Sequence, residues 1–156
     1  MFRKIVSLFK GPQPAGPIET IRRFTSTDQP IDTAAAHWAD DAWRIEASGP
    51  TTVRLYEISD PDAEQCMLAY RARMKGERIA KSAYLEMWCR FPGRGEFFSR
   101  GLAQSISGTT GWASHETPFY LKGGQRPDLI KLNLAMEGAG VVWLRDIELL
   151  KTPLSA

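Results

Sequence analysis

From residue 42 to residue 150 the chain sustains no helical period; short runs of alternating apolar and polar residues each stop at a turn signal. Ala42–Ala47 stops at Ser48-Gly49-Pro50, and 51–58 stops at Ser59-Asp60-Pro61-Asp62. The run 65–75 meets Lys75-Gly76-Glu77, which reads as a turn, and 83–91 meets Pro92-Gly93-Arg94-Gly95. Further runs follow at 96–100, 102–107, 114–121, Leu129–Met136 and 141–150. Proline lacks the N–H that a ladder needs, and glycine supplies the backbone freedom of tight turns. Many short strands with such punctuation predict an all-β chain with an antiparallel sheet.

Residue parity sorts the faces, because successive side chains of a strand point to opposite sides. In 83–91, Leu85, Met87, Cys89 and Phe91 oppose Tyr84, Glu86, Trp88 and Arg90. In 66–75, Leu68, Tyr70, Ala72 and Met74 oppose Arg71, Arg73 and Lys75. In Leu129–Met136 and the residue after it, Ile130, Leu132, Leu134 and Met136 oppose Lys131, Asn133 and Glu137. One apolar and one wet face per strand predicts two sheets packed about 10 Å apart, an antiparallel two-sheet β-sandwich.

The rest of the chain is less regular. Residues 20–25 read as one strand, and Ala34-Ala35-Ala36-His37-Trp38 as a helical turn. Phe2, Ile5, Val6 and Phe9 share a helical face, so 1–10 form a short N-terminal amphipathic segment, followed by the linker Gly11-Pro12-Gln13-Pro14-Ala15-Gly16-Pro17. The division expected is 1–17 as segment and linker and 18–156 as one β-sandwich domain. Ten residues are marginal for a free helix, so this terminus reads as loosely docked, with membrane-surface or partner contact the weaker alternative.

A chain of 156 residues with 43% apolar and 24% charged side chains holds a core without staples. Its net charge of +2 exerts no strong pull on nucleic acid, and none is expected as a partner. No apolar run is long enough to cross a bilayer as a helix, and the stretch 5–9 is broken by Ser7 and too short for a secretory signal. A cytoplasmic location is the expectation. Cys66 and Cys89 then read as buried free thiols; in an exported protein they are the available pair for a bridge.

Catalytic patterns are missing. Ala103-Gln104-Ser105-Ile106-Ser107 lacks both glycines of a nucleophile elbow, and Gly93-Arg94-Gly95-Glu96-Phe97-Phe98 lacks the third glycine of a dinucleotide fingerprint. His37 and His115 are the only histidines, and His115 reads as a rim residue. Glu86 and Glu137 lie on wet faces, where ion pairs with Arg71, Arg73, Arg90 or Lys131 outweigh a glycosidase-like carboxylate pair. The chain is therefore expected not to be an enzyme.

The strongest grouping is aromatic and polar: Tyr84 and Trp88 among Arg71, Arg73, Glu86, Arg90 and Asn133, with Lys131 beside them. A sugar stacks its apolar face on an aromatic ring while amide and charged groups meet its hydroxyls. Trp43, Trp112 and Trp143 lie in or beside apolar strands and read as core.

Two stretches add a resemblance. One is Gly108-Thr109-Thr110-Gly111-Trp112 with Phe119-Tyr120-Leu121; the other is the ending Gly138-Ala139-Gly140-Val141-Val142-Trp143-Leu144-Arg145-Asp146-Ile147-Glu148-Leu149. On these, 42–150 resembles the galactose-binding-like β-sandwich (jelly-roll) superfamily and is similar to its carbohydrate-binding modules. The resemblance implies a jelly roll that binds carbohydrate on a concave sheet face without catalysis. The alternative is a cytoplasmic protein-interaction or structural domain with no small-molecule ligand. The acidic pair typical of that last strand, which helps hold calcium in many members, stands here as Arg145-Asp146. Arg145 adds repulsion to such a site, so no metal and no cofactor is expected, and Asp146 is expected to pair with Arg145 or a neighbouring strand.

Overall fold

The computed structural model of the chain describes residues 13–155; the amphipathic reading of 1–10 lies outside the described residues. The strands are β1 (Glu19–Arg23), β2 (Ala36–Ala39), β3 (Ala42–Ala47), β4 (Thr51–Ser59), β5 (Cys66–Phe91), β6 (Gly95–Arg100), β7 (Ile106–Tyr120), β8 (Leu129–Met136) and β9 (Gly140–Pro153). All pairings are antiparallel. The sheet order is β2-β3-β9-β5-β8-β4, with β1 added to β9 and with β6 and β7 added to β5.

This sheet curls over itself because β5 belongs to both layers. Residues 66–77 of β5 pair with β9 and residues 83–90 pair with β8. Between them the register with β7 shifts three times, and Arg78 and Lys81 take positive φ angles of 47° and 63°. Lys75-Gly76-Glu77 is therefore not a turn, as its composition led one to expect, but the start of a bend inside one 26-residue strand. Pairing persists here because Gly76 lies opposite Val142 on one side and Thr110 on the other. Space there is tight: a Cβ would stand 2.9 Å from Ile106 Cδ1, and that side-chain tip would have to shift.

The apolar sides of both layers meet in one core containing Leu68, Tyr70, Met74, Leu85, Met87, Ile130, Leu132 and Leu144. The phenol of Tyr70, on the 66–77 part of β5, donates to the carbonyl of Asn133 on β8 at 3.1 Å, a polar tie between the layers inside the core. Cys66 and Cys89 are both buried as free thiols. Burial pushes the Cys89 thiol up to about 12, and the Cys66 thiol is also raised.

Two local expectations are corrected. Residues 34–38 form no helical turn: 36–39 pair as β2 with β3, since Trp38 gains a ring contact with Trp43 across the ladder. Residues 102–107 are not one strand: Leu102–Gln104 make a single 3-10 turn, and β7 begins at Ile106 and continues through Gly108 and Gly111 to Tyr120. Residues 14 and 15, within the expected linker, are tied to the last strand: Pro14 bridges Leu154, and the Ala15 N–H donates to the Pro153 carbonyl at 2.7 Å.

Candidate functional site

The outer face of the second layer is built from β6, the end of β5, and β8. Alternation sends Tyr84, Glu86, Trp88 and Arg90 of β5 to this face. The register sets Arg100 and Asn133 on either side of Glu86, and Phe98 and Lys131 on either side of Trp88. The ring centroids of Trp88 and Phe98 lie 5.1 Å apart, tilted by 51°. Phe98 is 49% exposed and Trp88 is half-buried, so the two rings form a partly open apolar platform.

Beneath the platform lies a satisfied polar network. Glu86 is only 5% exposed. Its Oε1 accepts the indole N–H of Trp88 at 2.9 Å and the amide of Asn133 at 3.2 Å, and its Oε2 accepts Arg100 Nε at 3.0 Å. Three donors compensate a carboxylate that burial alone would disfavour. The Arg100 guanidinium also stacks over Phe98, 4.3 Å from the ring centre. Lys131 reaches Glu96 at 2.8 Å, which places a surface ion pair at the rim.

The buried Tyr84 donates its hydroxyl to Glu137 Oε1 at 2.7 Å. Its phenol is raised first by burial and then by this bond. Arg90 donates from Nε and Nη2 to the two carboxylate oxygens of Asp128, at 2.9 and 3.2 Å, and holds that carboxyl below the usual range. Glu86 and Glu137 each have their own partner, Arg100 and Tyr84. His115 donates from Nδ1 to the Gln104 carbonyl at 2.7 Å.

The structure thus brings together Trp88, Tyr84, Glu86, Arg90 and Asn133. It does not bring Arg71 and Arg73 to them. Both arise from the 66–77 part of β5, whose apolar side faces the shared core, so their side chains emerge on the outer face of the first layer. There Arg71 pairs with Glu116 at 3.4 Å and Glu148 at 3.7 Å. Arg73 stands opposite Arg145, and its buried Nε has no hydrogen-bond partner. On the same face Lys75 lies over both Trp112 and Trp143, at 5.5 and 5.1 Å, and Arg145 over Trp112 at 4.2 Å. Trp143 is buried in a small satellite cluster, not the main core, and Trp112 packs against it half-buried. Arg145 Nε and Asp146 Oδ2 lie 4.0 Å apart.

Phe98, Arg100 and Glu96 are the platform residues that residue types alone did not single out. The signal for Phe98 was present as the parity of 96, 98 and 100, but Phe97 beside it obscured which ring faced the platform. Among the described residues, no three His, Cys, Asp or Glu side chains converge to hold a metal ion.

No protein-family model matches the chain, and no curated protein sequence matches it. Among solved structures the fold is similar to carbohydrate-binding proteins. The CBM22-1–GH10 portion of Clostridium thermocellum endo-1,4-β-D-xylanase 10B, complexed with xylohexaose, aligns over 84% of this chain at 7% identity and a TM-score of 0.52. The chain spans 28% of that xylanase fragment. A family 4 carbohydrate-binding module aligns over 83% of this chain and 84% of its own length, at 13% identity and a TM-score of 0.51. The family 30 module of the C. thermocellum cellulosomal cellulase Cel9D-Cel44B aligns over 89% and 92%, at 15% identity and a TM-score of 0.50. The fold is an antiparallel β-sandwich like that of carbohydrate-binding modules.

Proposed function

We propose, from a fold shared with carbohydrate-binding modules, that this chain is a non-catalytic module whose ligand is a carbohydrate chain met on the β6-β5-β8 face. The observation that carries this reading is the Trp88–Phe98 pair, two tilted rings 5.1 Å apart and partly open to solvent. Fold alone does not give function, so the weight rests on these side chains. Their polar setting fits the same reading. Glu86, Arg100 and Asn133 fix the Trp88 ring from below, while Lys131 and Glu96 stand at the edge where hydroxyls would arrive. The xylohexaose bound by one structural neighbour makes β-1,4-linked chains the first ligands to try.

The test is a glycan array probed with wild type, Trp88→Ala and Phe98→Ala, each verified as folded by circular dichroism. Saturable binding by the wild type that falls at least about tenfold in both variants supports the reading. No binding by folded wild-type protein, or binding untouched by both variants, overturns it.

A further inference from the structure

The most exposed aromatic rings among the described residues converge on one place. Phe97, Phe98 and Tyr120, at 51, 49 and 56% exposure, line a single cleft of about 430 Å³ together with Phe91 and Phe119. Phe91 forms its floor, 5.9 Å from Phe97 and 6.2 Å from Phe119. Three large exposed aromatics around one hollow are not scattered surface residues; such a patch marks a binding surface.

The cleft is preformed. On one side the turn after β5 is closed by the Arg94 N–H donating to the Phe91 carbonyl at 3.0 Å. On the other, Gln125 Oε1 accepts the Lys122 N–H at 2.7 Å, and Glu64 accepts the Gly124 N–H at 2.6 Å.

Its charge is one-sided. Arg94, Lys122 and Arg126 line it. Arg126 is engaged by Asp62 and Glu64, at 3.3 and 3.2 Å. The side chains of Arg94 and Lys122 make no ion pair or hydrogen bond with any described residue. Two uncompensated cations beside an apolar hollow select for a ligand that is flat and apolar on one side and anionic on the other.

Phe98 belongs to both this cleft and the Trp88 platform. A glycan lying on Trp88 therefore runs on toward Arg94 and Lys122. We infer that the cleft takes a uronic acid at one end of the bound glycan, its ring against Phe97, Phe98 and Tyr120 and its carboxylate toward Arg94 and Lys122. This inference rests on the carbohydrate reading above and adds the acidic class of the ligand.

Calorimetric titration of the full chain with matched hexasaccharide pairs tests it. Each pair is a uronate-bearing oligosaccharide (galacturonate, mannuronate or glucuronate-substituted xylan) and its carboxyl-reduced, neutral counterpart. The expected result is an acidic member that binds about tenfold tighter than its counterpart, a preference that fades as salt is raised. Arg94→Gln/Lys122→Gln, at two exposed positions, is expected to bring the acidic member down to the neutral value. Equal binding within every pair, still dependent on Trp88, overturns the acidic cleft and leaves the platform standing. A preference that survives in the double variant also overturns the cleft. No binding by any member while a neutral glycan binds on the array overturns the acidic cleft alone, no binding in either experiment overturns both, and a mononucleotide such as AMP binding the cleft with no acidic glycan response overturns the uronate assignment.

Discussion

Glu86 accepts the indole N–H of Trp88 at 2.9 Å from two positions away on the same strand, so the platform ring is held by a buried carboxylate on its own face of β5. The same carboxylate binds Asn133 and Arg100 on the two flanking strands. Orientation of the ring is therefore a property of three strands.

Glu86→Ala removes the acceptor of three donors at once. Leaving the buried Asn133 amide unpaired costs about 1–3 kcal/mol, while water partly replaces the lost acceptor for the half-buried Trp88 and the exposed Arg100. A net loss of about 2–4 kcal/mol in urea unfolding is expected, whereas Phe98→Ala, at an exposed position, stays within about 1 kcal/mol.

Tyr70→Phe deletes the hydroxyl that ties the two layers through the Asn133 carbonyl. The isosteric ring keeps the packing, so the expected loss is about 1–2 kcal/mol, from the bond and the buried carbonyl left with less satisfaction. Equilibrium denaturation with an unchanged m-value checks it.

Gly140→Ala is expected to be among the costlier single substitutions. Its φ is 152°, and a Cβ would stand 2.8 Å from the Ile79 Cα, a backbone atom that cannot swing aside. A loss of about 2–3 kcal/mol is expected, against less than about 0.5 kcal/mol for Gly49→Ala, where the space is open. Paired thermal melts of the two variants measure the difference.

Acid weakens the fold through the carboxylates that edge it. Asp32 is lowered chiefly by the Arg54 backbone N–H at 2.7 Å, and Asp28 chiefly by the Thr25 N–H at 2.8 Å. A folded-state value below the unfolded one, about 3.9, means stability that is present above the unfolded value. It is lost as pH falls through the folded value. Melting temperature is expected to hold from pH 7 to about 5 and to drop below about 4. Asp32→Asn should lower the neutral plateau and shrink the acid-side drop.

The fold was legible because parity holds in β8 and in each half of β5: Leu85, Met87 and Cys89 are inward, as are Ile130, Leu132 and Leu134. The grouping of Arg71 and Arg73 with Trp88 was not. Parity names two faces of one strand segment, and β5 bends so that both of its apolar sides face one core, which sends its two wet sides to opposite surfaces. Gly76 misled for a related reason: composition cannot separate a glycine that turns a chain from one that makes room for Ile106. The cleft was invisible because Phe91, Phe97 and Tyr120 come together only when the ends of β5, β6 and β7 meet at one end of the sandwich.

The central claim is that a sugar sits on Trp88. The chain has five tryptophans, and each indole N–H gives its own signal in an amide-edited nitrogen–proton NMR spectrum. The measurement is a titration with the array's best glycan, following those signals after assignment by single substitution. The account predicts that the Trp88 indole, hydrogen-bonded to Glu86, shifts in a saturable way while Trp43 and Trp143 stay fixed. Saturable shifts confined to Trp38 or Trp112, with Trp88 unmoved, would contradict it.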